Sequence, residues 1–229
     1  MGELVEFPSN GATAGGYLAP ATEGAGLGVV VVPGWRGLVP HIGDVCDRFA
    51  SEGFTALAPD LYEGRTVAPG NREEADGAAM ALDLEVTGRE MSGAVDYLGR
   101  HPAVRGAGVG VVGFSTGGGL ALWLATLRPD MVRAVVPFYG VVPPDRRPDW
   151  SMLEAAVEGH YAEDDDRAGF GVARALEEEL TALGKEVRMF LYPGTAAAFF
   201  DDTRPEVYDP DAARQAWVRT LEFLRAKLG

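Results

Sequence analysis

Short apolar runs alternate along this chain with longer stretches in which apolar residues recur every three or four positions. The first pattern predicts strands and the second helices. Strands are expected at Leu4 to Phe7, Gly16 to Ala19, Leu27 to Val32 and Phe54 to Ala58. Four more follow at Val109 to Val112, Val132 to Tyr139, Val157 to Tyr161 and Val187 to Tyr192. Leu27 to Val32 runs without alternation, as a parallel strand covered on both faces should. Helices are expected from His41 to Glu52, with Ile42, Val45, Cys46 and Phe49 on one face, and from Thr87 to Leu98. Phe170 to Leu183 and Pro210 to Leu228 carry the same periodicity. Residues 63 to 86 are small and polar, with Pro69-Gly-Asn71 reading as a helix start. Gly140 to Asp149 is a Pro-rich loop over the end of the sheet. The regular alternation implies one α/β domain over residues 1–229: a mostly parallel central sheet with helices on both faces.

One stretch stands out chemically. The apolar run Val109 to Val112 stops at Gly113, and Phe114, Ser115, Thr116 and three glycines follow. Leu120, Trp123, Leu124 and Leu127 then recur at helical spacing. Gly113-Phe-Ser115-Thr-Gly117 fits G-x-S-x-G, a serine on a sharp strand-to-helix turn. Glycines on either side leave room for a strained serine, and the helix N-terminus offers free N–H groups to developing negative charge. Gly108-x-Gly110-x-x-Gly113 also matches the dinucleotide fingerprint, but those glycines interrupt the strand instead of following it, which argues against a Rossmann site.

The formal charge of −14, from 20 basic and 34 acidic residues, argues against nucleic-acid or anionic-membrane partners. Cys46 is the only cysteine, which excludes an internal disulfide and a cysteine-based zinc cluster. The N-terminus lacks the pattern of a signal peptide, and no apolar run is long enough to span a bilayer. A cytoplasmic protein is expected, as monomer or homodimer.

An acyl-transfer serine needs a base within reach and an acid that orients the base. On a sheet of this kind they come in the order serine, acid, histidine, each just past a strand end. The acid is available in Asp164, Asp165 and Asp166, after the strand ending at Tyr161. The loop after the last strand, Tyr192 to Asp202, contains no histidine, and His41, His101 and His160 all precede Asp165.

At this point the chain resembles the dienelactone hydrolase family. The blocks that carry the resemblance are Val31-Val-Pro-Gly-Trp-Arg-Gly37, Ala58-Pro-Asp-Leu-Tyr62, Gly113-Phe-Ser-Thr-Gly-Gly118, His160-Tyr-Ala-Glu-Asp-Asp165 and Tyr192-Pro-Gly-Thr-x-x-Ala-Phe-Phe200. The resemblance implies an α/β-hydrolase that opens small esters or lactones without a cofactor, in the manner of a carboxymethylenebutenolidase. It implies Ser115 as nucleophile, Asp165 as acid, and the backbone N–H groups of Trp35 and Thr116 as oxyanion donors. The base position falls on Ala197, where the family motif reads Tyr-Pro-Gly-x-x-His-Ala-Phe. Serine replaces the cysteine of the founding members, and Gly34 stands where those carry a glutamate. With Ala197 in place, activity should be severely impaired. Either an engineered change of histidine to alanine or a natural pseudoenzyme accounts for it, and the intact remainder of the site favours the former. A ligand-binding member, or a lyase, isomerase or cyclase on the same fold, is the competing reading.

Other residues carry weaker expectations. Trp35, Arg36, Tyr62 and Phe199 are candidates for substrate contact, with Trp150 a pocket or core residue. Arg36, Arg146 and Arg204 are candidates for meeting a substrate carboxylate. His160 is expected to be structural, and His41 and His101 to be surface or capping residues. Asp201 and Asp202 read as turn caps; with no histidine beside them in the sequence, no metal is expected.

Overall fold

Val29 and Val31 face one hydrophobic core and Val30 and Val32 face the other, so the strand that contains them is buried at every position. In the computed structural model, which describes residues 1–68 and 71–229, this strand is β3 (Gly26–Val32). The helix start expected at Pro69-Gly-Asn71 lies partly outside the described residues. Asn71 itself caps the helix that follows, its side chain accepting from the Glu74 amide.

The strands are β1 (Glu3–Ser9), β2 (Ala12–Ala19), β3, β4 (Phe54–Pro59), β5 (Val104–Phe114), β6 (Val132–Phe138), β7 (Ala156–Asp164) and β8 (Val187–Ala196). The helices are α1 (Pro40–Ser51), α2 (Arg72–Ala81), α3 (Leu84–Arg100), α4 (Thr116–Leu127), α5 (Phe170–Ala182) and α6 (Pro210–Leu228). All eight strands join one sheet in the order β1-β2-β4-β3-β5-β6-β7-β8. β1 and β2 are antiparallel to their neighbours, and the rest of the sheet is parallel. Asn10 and Gly11 both take positive φ (45° and 90°), the turn that suits the twist of a two-residue hairpin.

Helices cover both faces. Ile42, Val45 and Phe49 of α1 and Leu221 and Leu224 of α6 pack on one side. Met91 and Leu98 of α3, Leu122 of α4 and Leu176 and Leu180 of α5 pack on the other. The chain leaves β3 for β4 on one side and returns to β5 on the other. The loops after β3 and β5 therefore diverge at the C-terminal edge of the sheet, where α/β folds place their ligands. The described residues include no helix long and apolar enough to cross a membrane.

Three elements exceed their sequence signal. β5 begins at Val104, five residues before its apolar run, and α3 begins at Leu84. β8 continues through Pro193-Gly194 to Ala196, where a loop is expected from those residues. The β7–β8 ladder shifts register between Ala162 and Asp164, which absorbs the turn-forming pair and lets pairing resume at Asp164 and Ala196.

Candidate active site

Ser115 sits between β5 and α4 with φ 54° and ψ −123°, a backbone conformation that costs a non-glycine residue about 1–3 kcal/mol. The surroundings over-determine it. Its amide donates to the Phe138 carbonyl at 3.0 Å, and its own carbonyl accepts from the Gly118 amide at 2.8 Å. A Cβ on Gly113 would overlap the Gly117 carbonyl, and one on Gly117 would overlap the Val32 carbonyl. A Cβ on Gly140 would strike the Ser115 carbonyl. Glycine at these places lets the turn pack against the ends of β3 and β6. Gly108, Gly110 and Gly113 all lie within β5 itself, which removes the dinucleotide reading.

The serine opens onto a cavity of about 400 Å³. Trp35 and Arg36 from the loop after β3, Asp165 from the loop after β7 and Ala197 from the loop after β8 share its wall. Asp164 and Ala196 form the last pair of the β7–β8 ladder, so Asp165 and Ala197 are the first residues past the ends of two adjacent strands. Asp165 Oδ1 accepts from the Arg167 and Ala168 amides, both at 2.9 Å, which fixes the carboxylate at the head of its loop. Among the described residues the Ser115 hydroxyl has no hydrogen-bond partner. Thr116 opens α4, so its amide is one of the unpaired N–H groups of a helix N-terminus. Its side chain turns away from the cavity, with its hydroxyl buried and unpartnered. The Gly34 α-carbon lies against Ser115: a Cβ there would stand 2.9 Å from the Phe114 carbonyl and 3.4 Å from Ser115 Cβ.

Several expectations need correction. Tyr62 does not line this cavity; it belongs to a second one of about 690 Å³ between its own loop, α2 and α3. Burial there pushes its phenol up to about 12. Phe199 is fully buried against Tyr139 and Tyr192, a core residue without access to substrate. Trp150 is likewise buried outside the cavity. Of the three arginines considered for a carboxylate, Arg36 and Arg204 line the cavity and Arg146 does not.

The largest correction concerns His41. It is 5% exposed, second residue of α1, and part of the wall that holds Ser115. Asp201 and Asp202, read as having no histidine nearby, lie beside it: Nδ1 is 3.5 Å from Asp201 Oδ1 and 3.3 Å from Asp202 Oδ1. Asp201 also receives the Arg36 guanidinium at 3.0 Å and the Thr203 hydroxyl at 2.6 Å. A signal for this burial was present in the sequence. His41, Val45 and Phe49 are spaced i, i+4, i+8, on the buried stripe of the helix.

His160 is enclosed on every side, as a structural histidine should be. Its Nδ1 meets the Tyr192 hydroxyl at 2.9 Å and its Nε2 the Thr220 hydroxyl at 3.1 Å. Burial, reinforced by the Arg219 charge, drives its pKa down to about 3, so the ring is neutral. His101 caps the end of α3, with Nδ1 accepting from the Ala103 amide at 3.2 Å. Tyr139, on the cavity wall, is held as a neutral phenol by burial and then by the Asp201 carboxylate, which raise it well above its ordinary value.

Comparison with known proteins identifies the family and the fold. The chain is 33% identical over 237 residues to Protein usf of Aquifex pyrophilus, with 100% of both chains covered. It is 30% identical over 234 residues to a Bradyrhizobium sp protein named "Probable 2-oxo-3-(5-oxofuran-2-ylidene)propanoate lactonase", covering 97% of this chain and 93% of that one. Its fold matches that of a dienelactone hydrolase-like promiscuous phosphotriesterase from metagenomic libraries with a TM-score of 0.87, at 22% identity and with 100% and 99% of the two chains covered. Residues 14–228 match the dienelactone hydrolase family as a whole, and with the strand-to-helix serine at the switch point of its sheet the chain belongs to that family.

Proposed function

We propose that this hydrolase of the dienelactone hydrolase type opens a small ester or lactone through an acyl-serine at Ser115. The observation that carries the reading is the convergence of a strained serine, Asp165 and position 197 on one cavity. Ser115 Oγ would attack the acyl carbon, and the amides of Trp35 and Thr116 would hold the oxyanion. Asp165, its Oδ1 fixed by two backbone amides, would orient a base at position 197. The lactonase name of the Bradyrhizobium relative supports the substrate class. A cytoplasmic setting agrees with the acidic charge and the lone cysteine.

Alanine at 197 removes the proton acceptor of this scheme. In the serine protease subtilisin, loss of the base costs on the order of 10⁶ in kcat, while oxyanion hole and binding together leave roughly 10³ over water. The test is Ala197→His, assayed on p-nitrophenyl acetate and a small enol-lactone with Ser115→Ala as blank. The expected gain is at least about 10²-fold and vanishes in the Ser115→Ala background.

A second reading has its own observation: the Ser115 hydroxyl is unpartnered, as it would be in a binding protein that never ionises it. A folded Ala197→His variant that gains no activity, yet is stabilised by lactones, would replace the hydrolytic reading with this one. Product that keeps the substrate's mass would instead indicate an isomerase or cyclase.

A further inference from the structure

His41 has one engaged ring nitrogen and one orphan. Nδ1 faces the Asp201 and Asp202 carboxylates. Nε2 is shielded from solvent and meets no hydrogen-bond partner. His160 provides the contrast within the same molecule, since it is buried still more deeply and both of its nitrogens are engaged. Buried polar atoms in native proteins are rarely left unpaired, and one that is calls for an explanation, a catalytic role among them.

A metal ion would fit this trio poorly. Asp201 is already shared by the Arg36 guanidinium, the Thr203 hydroxyl and the Thr203 amide. A divalent cation on the same carboxylate would face that guanidinium across a few ångströms. A proton fits better. The tautomer with its proton on Nδ1 donates toward those carboxylates and leaves the Nε2 lone pair as an acceptor. That is the acid–imidazole half of a triad, approached from the first turn of α1 instead of from the loop after β8.

We propose that His41, oriented by Asp202 and Asp201, is the proton acceptor for Ser115 in this chain and stands in for the base missing at position 197. This rests on the hydrolase reading above. Nε2 takes the Ser115 hydroxyl proton as Oγ bonds to the acyl carbon and the carbonyl electron pair moves onto oxygen. Collapse of the adduct breaks the bond to the alcohol oxygen, which receives the proton back from Nε2. Water then repeats the sequence on the acyl-serine: His41 accepts its proton, the acid departs, and Ser115 regains its hydrogen. The Ser115 hydroxyl and Nε2 are both unpartnered in the free protein, and catalytic hydrogen bonds commonly close only in the substrate complex.

The test measures labelling of Ser115 by a fluorophosphonate and turnover of p-nitrophenyl acetate, on the full chain. Variants are His41→Gln, His41→Asn, Asp202→Asn, Ala197→His and the double variant Ala197→His with His41→Gln. Gln and Asn keep hydrogen-bonding capacity but cannot take up the proton. Each should lower labelling and turnover by about 10²-fold or more, and Asp202→Asn by about tenfold. The double variant should recover, because position 197 then supplies the base. Wild-type rates in both His41 variants would overturn the proposal. So would a loss that the double variant does not recover while Ala197→His alone is active, since His41 would then be holding the structure. Activity removed by a chelator and restored by zinc would overturn it in favour of a metal. If neither the wild type nor Ala197→His reacts with the fluorophosphonate, the hydrolase reading fails first and takes this proposal with it.

Discussion

Ala197 donates its backbone N–H to the carbonyl of Asp164, 3.3 Å away, immediately beyond the rung where Asp164 pairs with Ala196. Ala197, the position that the proposed mechanism gives to the base, is thereby tied by its main chain to the loop that carries Asp165. Replacing a side chain there leaves this tether intact, so the space beside Asp165 should admit a free imidazole. Imidazole in the assay is expected to raise Ser115-dependent hydrolysis of an unactivated phenyl ester by about tenfold beyond its effect on Ser115→Ala. An equal acceleration of both proteins would show that the space does not communicate with Ser115.

The glycines of the turn and those elsewhere should respond oppositely to alanine. At Gly113 a methyl group would overlap the Gly117 carbonyl, a backbone atom that cannot step aside. Gly113→Ala is expected to cost about 3 kcal/mol or to prevent folding. Gly77 lies within α2 with nothing inside 4 Å of an added Cβ. Gly77→Ala should stabilise by about 0.5–1 kcal/mol. Urea denaturation of the two variants decides; a neutral Gly113→Ala would mean that the turn has room to relax around a methyl group.

The strand-to-helix turn, the buried strands beside it and the loop that brings Asp165 to the cavity were legible because each is encoded locally. Gly113 and Gly117 are required by contacts within a few residues or with the adjacent strand, and the buried runs need no alternation to be read. Asp165 follows its strand directly, and Ala197 follows the next one. What was not legible depends on distant packing. His41 and Asp202 are 161 residues apart and meet only when α1 is laid beside the loop after β8. Tyr62 and Phe199 occupy loops of the expected kind, yet one turns toward α2 and α3 and the other into the core. Nothing in the local sequence sets that direction. The extension of β8 through Pro193-Gly194 was hidden because turn residues inside a bulged strand look the same as turn residues in a loop.

Two tyrosines with buried hydroxyls make a matched pair. The Tyr161 hydroxyl donates to the Gly140 carbonyl at 2.9 Å, and Gly140 packs against the Ser115 carbonyl. Tyr161→Phe leaves that carbonyl without its donor and should cost about 1–3 kcal/mol. The Tyr62 hydroxyl is buried without a partner of good geometry, although the Thr116 hydroxyl lies close enough to temper its raised pKa. Tyr62→Phe should therefore be neutral or stabilising by up to about 1 kcal/mol. Melting temperatures of the two variants test this, and a large loss in Tyr62→Phe would establish that the Thr116 contact is a true hydrogen bond.

Glu158 sets the pH dependence of stability on the β7 side of the sheet. Burial lifts its carboxyl to about 7, against the opposing pull of Arg188 and Arg219 and with some help from Glu222. Its neighbour His160, 3.7 Å away, is neutral, so the two form no ion pair. Below about pH 4.5 Glu158 is protonated in both folded and unfolded chains and carries no penalty. As pH rises toward 7 the unfolded chain releases this proton and the folded one retains it, so stability falls and the loss is complete above that range. His160 acts in the opposite sense: the unfolded imidazole gains a proton below about pH 6.5 and the folded one does not until about 3, so stability falls on acidification. Glu158→Gln removes only the alkaline limb. At about pH 8 the variant should be more stable than wild type by about 1 kcal/mol, allowing for screening by solvent, and the two curves should converge near pH 5. Melting temperatures across that range provide the measurement. A difference that does not change with pH would show that Glu158 is already ionised in the folded protein.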